Sequence, residues 1–234
     1  MDLSSLIARL ELPPPSTDSG RPAAPEPVPV DWDAVESRLG LRLPADYRAL
    51  VSALGPLEIG GRLWLHAPCE REGGYEYGDW LWETHRECRI SSRRALRREP
   101  PPFHPDPGGL LAWGDTREGV RLLWDTGAPG DPDRWPVVVF DAEAARRGDD
   151  PWHGCGTTLT RTLAALLTTG IRRPGGRTLG PLPPTAHRPA FLTGARPWRP
   201  PAPEPAPDRA RAPRRAPGGR YAAPRPPGPE DRRH

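Results

Sequence analysis

Between residues 70 and 87 six carboxylates, Glu70, Glu72, Glu76, Asp79, Glu83 and Glu87, are interleaved with Tyr75, Tyr77, Trp80 and Trp82. At a protein surface, aromatic anchors supply most of the energy of an interface, while charge supplies steering and selectivity. An acidic face carrying aromatic anchors therefore suits a partner with a basic site. The same residues would also suit a solvated loop and helix whose Trp side chains pack on a sheet. Composition leaves both readings open. The candidate partner-binding set is Glu70, Glu72, Tyr75, Glu76, Tyr77, Asp79, Trp80, Trp82 and Glu83.

A second pattern pairs histidine with cysteine. His66-Ala-Pro-Cys69 and His85-Arg-Glu-Cys88 repeat an H-x-x-C spacing, and His153-Gly-Cys155 adds another pair. Thiolate and imidazole can close a tetrahedral zinc site. The signal is weaker than two C-x-x-C pairs, and His66 stands at the end of an expected strand that can turn it away. No metal site is assigned. Three widely spaced cysteines fit reduced thiols better than a disulfide framework.

Catalytic signatures are missing. The sequence has no G-x-S-x-G, no G-x-G-x-x-G and no H-E-x-x-H. A Walker-type Gly-Lys segment is impossible, because the chain has no lysine. No catalytic residue and no cofactor is expected, and the chain reads as a non-enzyme.

These residues need elements to position them. Asp31 can cap a helix ending at Leu39, with Trp32, Val35 and Leu39 on one face and Gly40 as the stop. Leu43-Pro44 opens a second helix, whose stripe is Tyr47, Leu50, Val51 and Leu54 and whose end is Gly55-Pro56. Strands are expected at Arg62–His66, Leu110–Trp113, Val120–Trp124 and Trp135–Phe140, the middle two as a hairpin. The valines at 137–139 suggest a central strand covered on both faces. A helix follows over Thr157–Thr169, and Leu3, Leu6, Ile7 and Leu10 allow a short one at the N-terminus. Hairpins with helices at both ends predict an α+β fold, an antiparallel sheet covered by helices.

Composition sets the boundaries. Proline numbers 36 and glycine 25 in 234 residues, yet eight of nine Trp fall within 31–171. Residues 172–234 hold 17 prolines, and 14 arginines against 4 acids, whereas 31–171 holds 17 arginines against 22 acids. The basic balance thus belongs to the C-terminal end. The expected organisation is an extension with a Pro-rich linker at 1–27, a domain at 28–171 and a disordered Arg/Pro-rich tail at 172–234. No apolar run reaches the ~18 residues of a membrane helix, and the N-terminus has no signal-peptide pattern. A cytoplasmic protein without membrane contact is expected. Only the basic tail has chemistry suited to nucleic acid, and such contact would be sequence-independent and salt-sensitive.

Trp32, Val35-Glu36, Leu39-Gly40, Leu43-Pro44, Asp46-Tyr47-Arg48 and Leu50 stand as W-x-x-V-E-x-x-L-G-x-x-L-P-x-D-Y-R-x-L, and Gly55 closes the pattern. Later come Gly109-Leu-Leu-Ala-Trp113-Gly114, Trp124 and Trp135-Pro-Val-Val-Val. This resembles the SUKH superfamily, the group of Smi/Knr-like cell-wall regulators and bacterial immunity proteins, over roughly residues 28–171. The resemblance implies an α+β domain that recognises another protein, with no shared catalytic residues. Trp32, Glu36, Gly40, Leu43, Pro44, Tyr47, Gly55, Trp113, Gly114, Trp124 and Trp135 are then structural positions. It also implies an immunity-type protein that neutralises a toxin, such as a nuclease, by occluding its active site. The alternative is an intracellular regulatory scaffold whose tail recruits partners.

Overall fold

The computed structural model describes residues 2–13, 24–96 and 99–199. Among these residues the chain is a mixed α+β protein with six α-helices and a mostly antiparallel sheet system. In chain order the elements are α1 (Leu3–Arg9), α2 (Trp32–Leu39), α3 (Ala45–Leu54), β1 (Leu57–Ile59), β2 (Leu63–Leu65), β3 (Cys69–Arg71), β4 (Tyr75–Glu76) and α4 (Tyr77–Leu96). Then follow β5 (Leu110–Thr116), β6 (Val120–Asp125), β7 (Val137–Asp141), α5 (Ala142–Arg147), β8 (Trp152–Gly154) and α6 (Leu159–Leu166). The last are β9 (Ile171–Arg172), β10 (Thr178–Leu179), β11 (Ala186–His187) and β12 (Arg196–Pro197).

The helix signals act locally. The Asp31 carboxylate accepts the Ala34 N–H at 3.0 Å and starts α2, and Gly40 caps its end. Glu36 then fixes the turn into α3, accepting the Leu43 N–H at 2.8 Å and an Arg48 guanidinium N–H at 3.1 Å. Pro44, which lacks an N–H, caps α3 at no hydrogen-bond cost. Gly55 ends α3 with φ +70° and lies so close to residue 26 that a Cβ would sit 2.2 Å from the Glu26 carbonyl oxygen. A side chain there would push the 24–30 segment off the helix.

Seven antiparallel strands form the main sheet in the order β11-β1-β2-β5-β6-β7-β8. Every residue of β5 is buried, because helices cover both faces. On β6, Trp124 meets Tyr47 of α3 edge-on at 5.0 Å, while Arg121, on the opposite face, reaches Glu87 of α4 at 3.0 Å. Trp113 and Trp124 are fully buried with ring centroids 6.0 Å apart. Tyr47, also fully buried, donates its hydroxyl to the His66 carbonyl at 2.8 Å, and Trp32 donates its indole N–H to Ser52 at 3.0 Å. Trp135 is buried, and Gly114 sits at a register shift of β5, where a Cβ would meet the Trp64 carbonyl oxygen at 2.8 Å.

Three expectations need correction. First, β7 is the penultimate strand and not a central one, because β8 is the edge; it begins at Val137 and runs to Asp141. Four of its five residues are nevertheless buried, and Val138 is half-buried. Second, the folded unit does not stop at 171. β11 pairs with β1, β12 pairs with β3, and Arg173 donates from Nε to the buried Asp141 carboxylate at 2.9 Å. Asp141 also caps α5 through the Glu143 and Ala144 N–H groups. A Pro- and Arg-rich composition reads as tail, but extended Pro-rich chain needs only a few buried anchors, here Leu179, Leu182, Leu192 and Trp198. Third, the N-terminal extension belongs to the core. Leu6 and Leu10 are buried, and Glu11 hydrogen-bonds across to Pro184 and Ala186. The disordered tail expected beyond residue 199 lies outside the described residues. No helix among the described residues is long and apolar enough to cross a membrane.

Candidate partner-binding cleft

The segment 69–96, expected as an acidic-aromatic insert, forms β3, β4 and the twenty-residue α4. A helix turns about 100° per residue, and that rotation sorts the candidate residues. Tyr77, Leu81, Thr84, His85, Cys88 and Ser92 form the buried stripe of α4. Trp80 and Trp82, two positions apart, consequently face different surroundings. Trp80 stacks on the His66 ring at 3.8 Å and donates to Asp115 at 3.3 Å. Trp82 is 64% exposed, with the Arg86 guanidinium 5.4 Å from its ring and Arg86 paired to Glu83 at 2.9 Å.

The single surface of four aromatics is therefore not formed. Tyr77 is fully buried, and Tyr75 points to His66, its hydroxyl 2.9 Å from Nδ1. Of the carboxylates, Glu70 pairs with Arg196 at 2.8 Å. Glu76 caps α4 by accepting the Asp79 N–H at 2.6 Å and also accepts the indole N–H of Trp198. Glu72, Asp79, Trp82 and Glu83 remain exposed.

His66 and Asp115 are the other titratable pair of this region. His66 is 3% exposed, and its Nε2 lies 3.5 Å from Asp115. Burial works to raise the Asp115 pKa, but the His66 contact, Arg121 and the Trp80 N–H together hold it below the ordinary carboxylate range. Trp80 and Tyr75 close over the pair, so it positions β2, β5 and α4 against one another and offers no open face.

Next to the N-terminus of α4 the surface opens into a cleft of about 350 Å³. Its walls are Arg38 and Leu39 at the end of α2, Glu76, Asp79 and Trp82 on the α4 side, His104 with Pro105, and Trp198. His85 closes the floor. Burial, with a contribution from His104, lowers the His85 pKa to about 4, so its imidazole is neutral. Neutral Nε2 accepts the Ala112 N–H at 3.1 Å, beyond the point where the β2–β5 ladder ends at Leu65 and Gly114. His104 donates from Nε2 to the Leu39 carbonyl at 2.7 Å, at the C-terminal end of α2.

The cleft has a mixed wall: carboxylates from Glu76 and Asp79, one guanidinium from Arg38, and two indoles. Such a surface can hold a peptide side chain by apolar contact and orient it by charge. Sequence reasoning nominated Glu76, Asp79 and Trp82, noticed His85 only as part of an H-x-x-C pair, and missed Arg38, His104 and Trp198. Trp198 had a visible signal, as the one Trp outside 31–171. The His/Cys pairs do not converge: no group of three or more His, Cys, Asp or Glu among the described residues could hold a metal ion. Cys69 and Cys88 are buried in separate clusters, and burial pushes the Cys69 thiol up to about 12. Comparison with protein-family models, curated proteins and solved structures finds no match to this chain.

Proposed function

We propose that this chain is a non-enzymatic protein-binding module of the immunity type, which occludes a basic functional site on a partner such as a nuclease-type toxin. The observation that carries the reading is Trp82: a large indole, 64% exposed, on a regular helix at the rim of a cleft. Leaving an indole in water forfeits its burial energy, and a bound partner recovers that energy. Asp79 and Glu83 on the same helix, with the exposed Glu72 of the β3–β4 turn, supply the charge that would steer a basic partner. The SUKH-like residue pattern supports the same reading, since it implies an α+β protein-recognition domain. Its residues Tyr47, Trp113 and Trp124 lie in the interior and Trp32 packs half-buried against them, which leaves recognition to segments such as 69–96.

The test uses the full chain as bait in lysate of the source cells, followed by the same capture with Trp82→Ala and with the triple change Glu72→Gln, Asp79→Asn, Glu83→Gln. Glu76 is left intact because it caps α4. A stoichiometric partner whose enzymatic activity the wild-type chain inhibits, and whose affinity falls at least tenfold with Trp82→Ala, is expected. The triple variant is expected to lose most of the salt dependence. A partner held equally by all three chains, or one whose activity is untouched, overturns the reading.

A further inference from the structure

The last described segment of the chain occupies one wall of this cleft in an unusual way. β12 is an edge strand only two residues long, paired to β3 through Arg196 with Glu70 and Pro197 with Cys69. Pro197 has no N–H to give the ladder. The Trp198 N–H donates to the Pro68 carbonyl at 3.1 Å, and its indole N–H bonds to Glu76. The indole is 5% exposed, meets Tyr77 edge-on at 5.5 Å and has the Arg38 guanidinium 6.0 Å from its ring. Arg196, in contrast, is 62% exposed, so its pair with Glu70 adds little. One indole and a few backbone bonds hold the whole strap.

Trp198 is also a partition. It lines the 350 Å³ cleft on the α4 side and a second cleft of about 720 Å³ on the side of Pro29, Asp31 and Ala34. Lifting the strap would join the two into one groove and uncover the edge of β3. The strap has an anchor and a pivot for that movement. Leu192, buried against Val28 and Cys69, fixes its upstream end. Gly194, with φ +75° and open space around the position of a Cβ, separates that anchor from β12.

We propose that residues 195–199 are an intramolecular occupant of the docking groove, and that the partner segment which replaces them is an extended peptide bearing an aromatic anchor next to arginine. This rests on the reading of this face as a protein-binding surface and adds the chemistry of the bound segment. The groove itself states that chemistry: a free strand edge takes an extended backbone, the space between Tyr77 and Arg38 takes an indole with Glu76 receiving its N–H, and Glu70 takes a guanidinium. The strap is then a competitor, and its occupancy lowers the apparent affinity for the partner by the fraction of time the groove is open.

The experiment uses the full chain, a Trp198→Ala variant and an Arg196→Glu variant, with a fluorescein-labelled peptide Gly-Ala-Arg-Pro-Trp-Arg, the sequence of residues 194–199, as probe. Anisotropy is expected to show at least tenfold tighter binding to Trp198→Ala than to the unmodified chain. The peptide with Ala in place of Trp is expected to lose that binding. Arg196→Glu places like charges opposite each other on β12 and β3 and is expected to raise peptide affinity in the same direction by a smaller factor. It is also the variant that decides should Trp198→Ala fail to fold by circular dichroism. Equal affinity of the variants and the unmodified chain, or equal binding of the Trp and Ala peptides, overturns the proposal. A partner capture that depends on Trp82 would survive that failure, so the two readings fail separately.

Discussion

The meander β5–β6–β7 and the layer made of α4 with the strap use the same residue types for different ends. In the meander, Trp113 and Trp124 are wholly enclosed, and each strand is covered on both faces. In the layer above, Trp80, Trp82 and Trp198 grade from enclosed to exposed: Trp198 is 5% exposed and Trp82 is 64% exposed. The meander is held by contacts that its own strands make with their sequence neighbours. The layer is held by contacts to other elements, of middle range such as Glu87 with Arg121 and Trp80 with Asp115, and of more than a hundred residues such as Trp198 with Glu76. Enclosed packing and exposed aromatic surface are thus divided between two parts of one molecule, and the aromatic residues of the outer layer are the ones whose burial varies.

That division has consequences of decreasing size. Trp124→Ala removes an indole from the enclosed meander and should cost about 3–5 kcal/mol, read as a fall in the midpoint of chemical unfolding. A loss under about 1 kcal/mol would mean that the meander is not the rigid part. Acid should act next, through His85 where α4 meets β5. Its pKa is lowered to about 4 in the folded chain from 6.5, so the unfolded chain binds more protons between those values. Stability is therefore expected to fall as pH drops from about 6.5 toward 4, by an amount on the order of 3 kcal/mol. His85→Gln, which keeps an acceptor for the Ala112 N–H, should flatten that part of the pH profile; an unchanged slope would place the acid sensitivity elsewhere. Trp82→Ala should change stability least, within about 0.5 kcal/mol, while removing the proposed partner contact. A large loss of stability on Trp82→Ala would make the residue a packing element and end its assignment to recognition.

Local signals were the legible ones. Asp31, Gly40, Pro44 and Gly55 mark helix ends through capping and backbone conformation, which depend on residues within one turn. The β5–β6 hairpin was legible for the same reason, as two short apolar runs on either side of a turn-rich segment, although β5 extends through Gly114 to Thr116 and shortens that turn. The aromatic insert stayed open between an interface and packing on the sheet because no period was imposed on it. Counted at 3.6 residues per turn, Tyr77, Leu81, His85 and Cys88 separate from Trp82, Arg86 and Ile90. The order of strands in the sheet was not legible: β2 showed as a strand through Leu63 and Leu65, but β1 and β11, two or three residues long, carry no periodic signal.

Residue order alone settled the fold class, the helix caps, the central hairpin and the place of the acidic-aromatic segment, since each depends on neighbours in the chain. The closing of 172–199 onto the domain was decided by the tertiary structure, through Arg173 on Asp141, β11 on β1 and Trp198 on Glu76. Which carboxylates and indoles stay exposed was decided there too. Those outcomes rest on burial and pairing between distant segments, and a sequence carries no record of which distant segment will supply the missing hydrogen bond or cover the exposed ring.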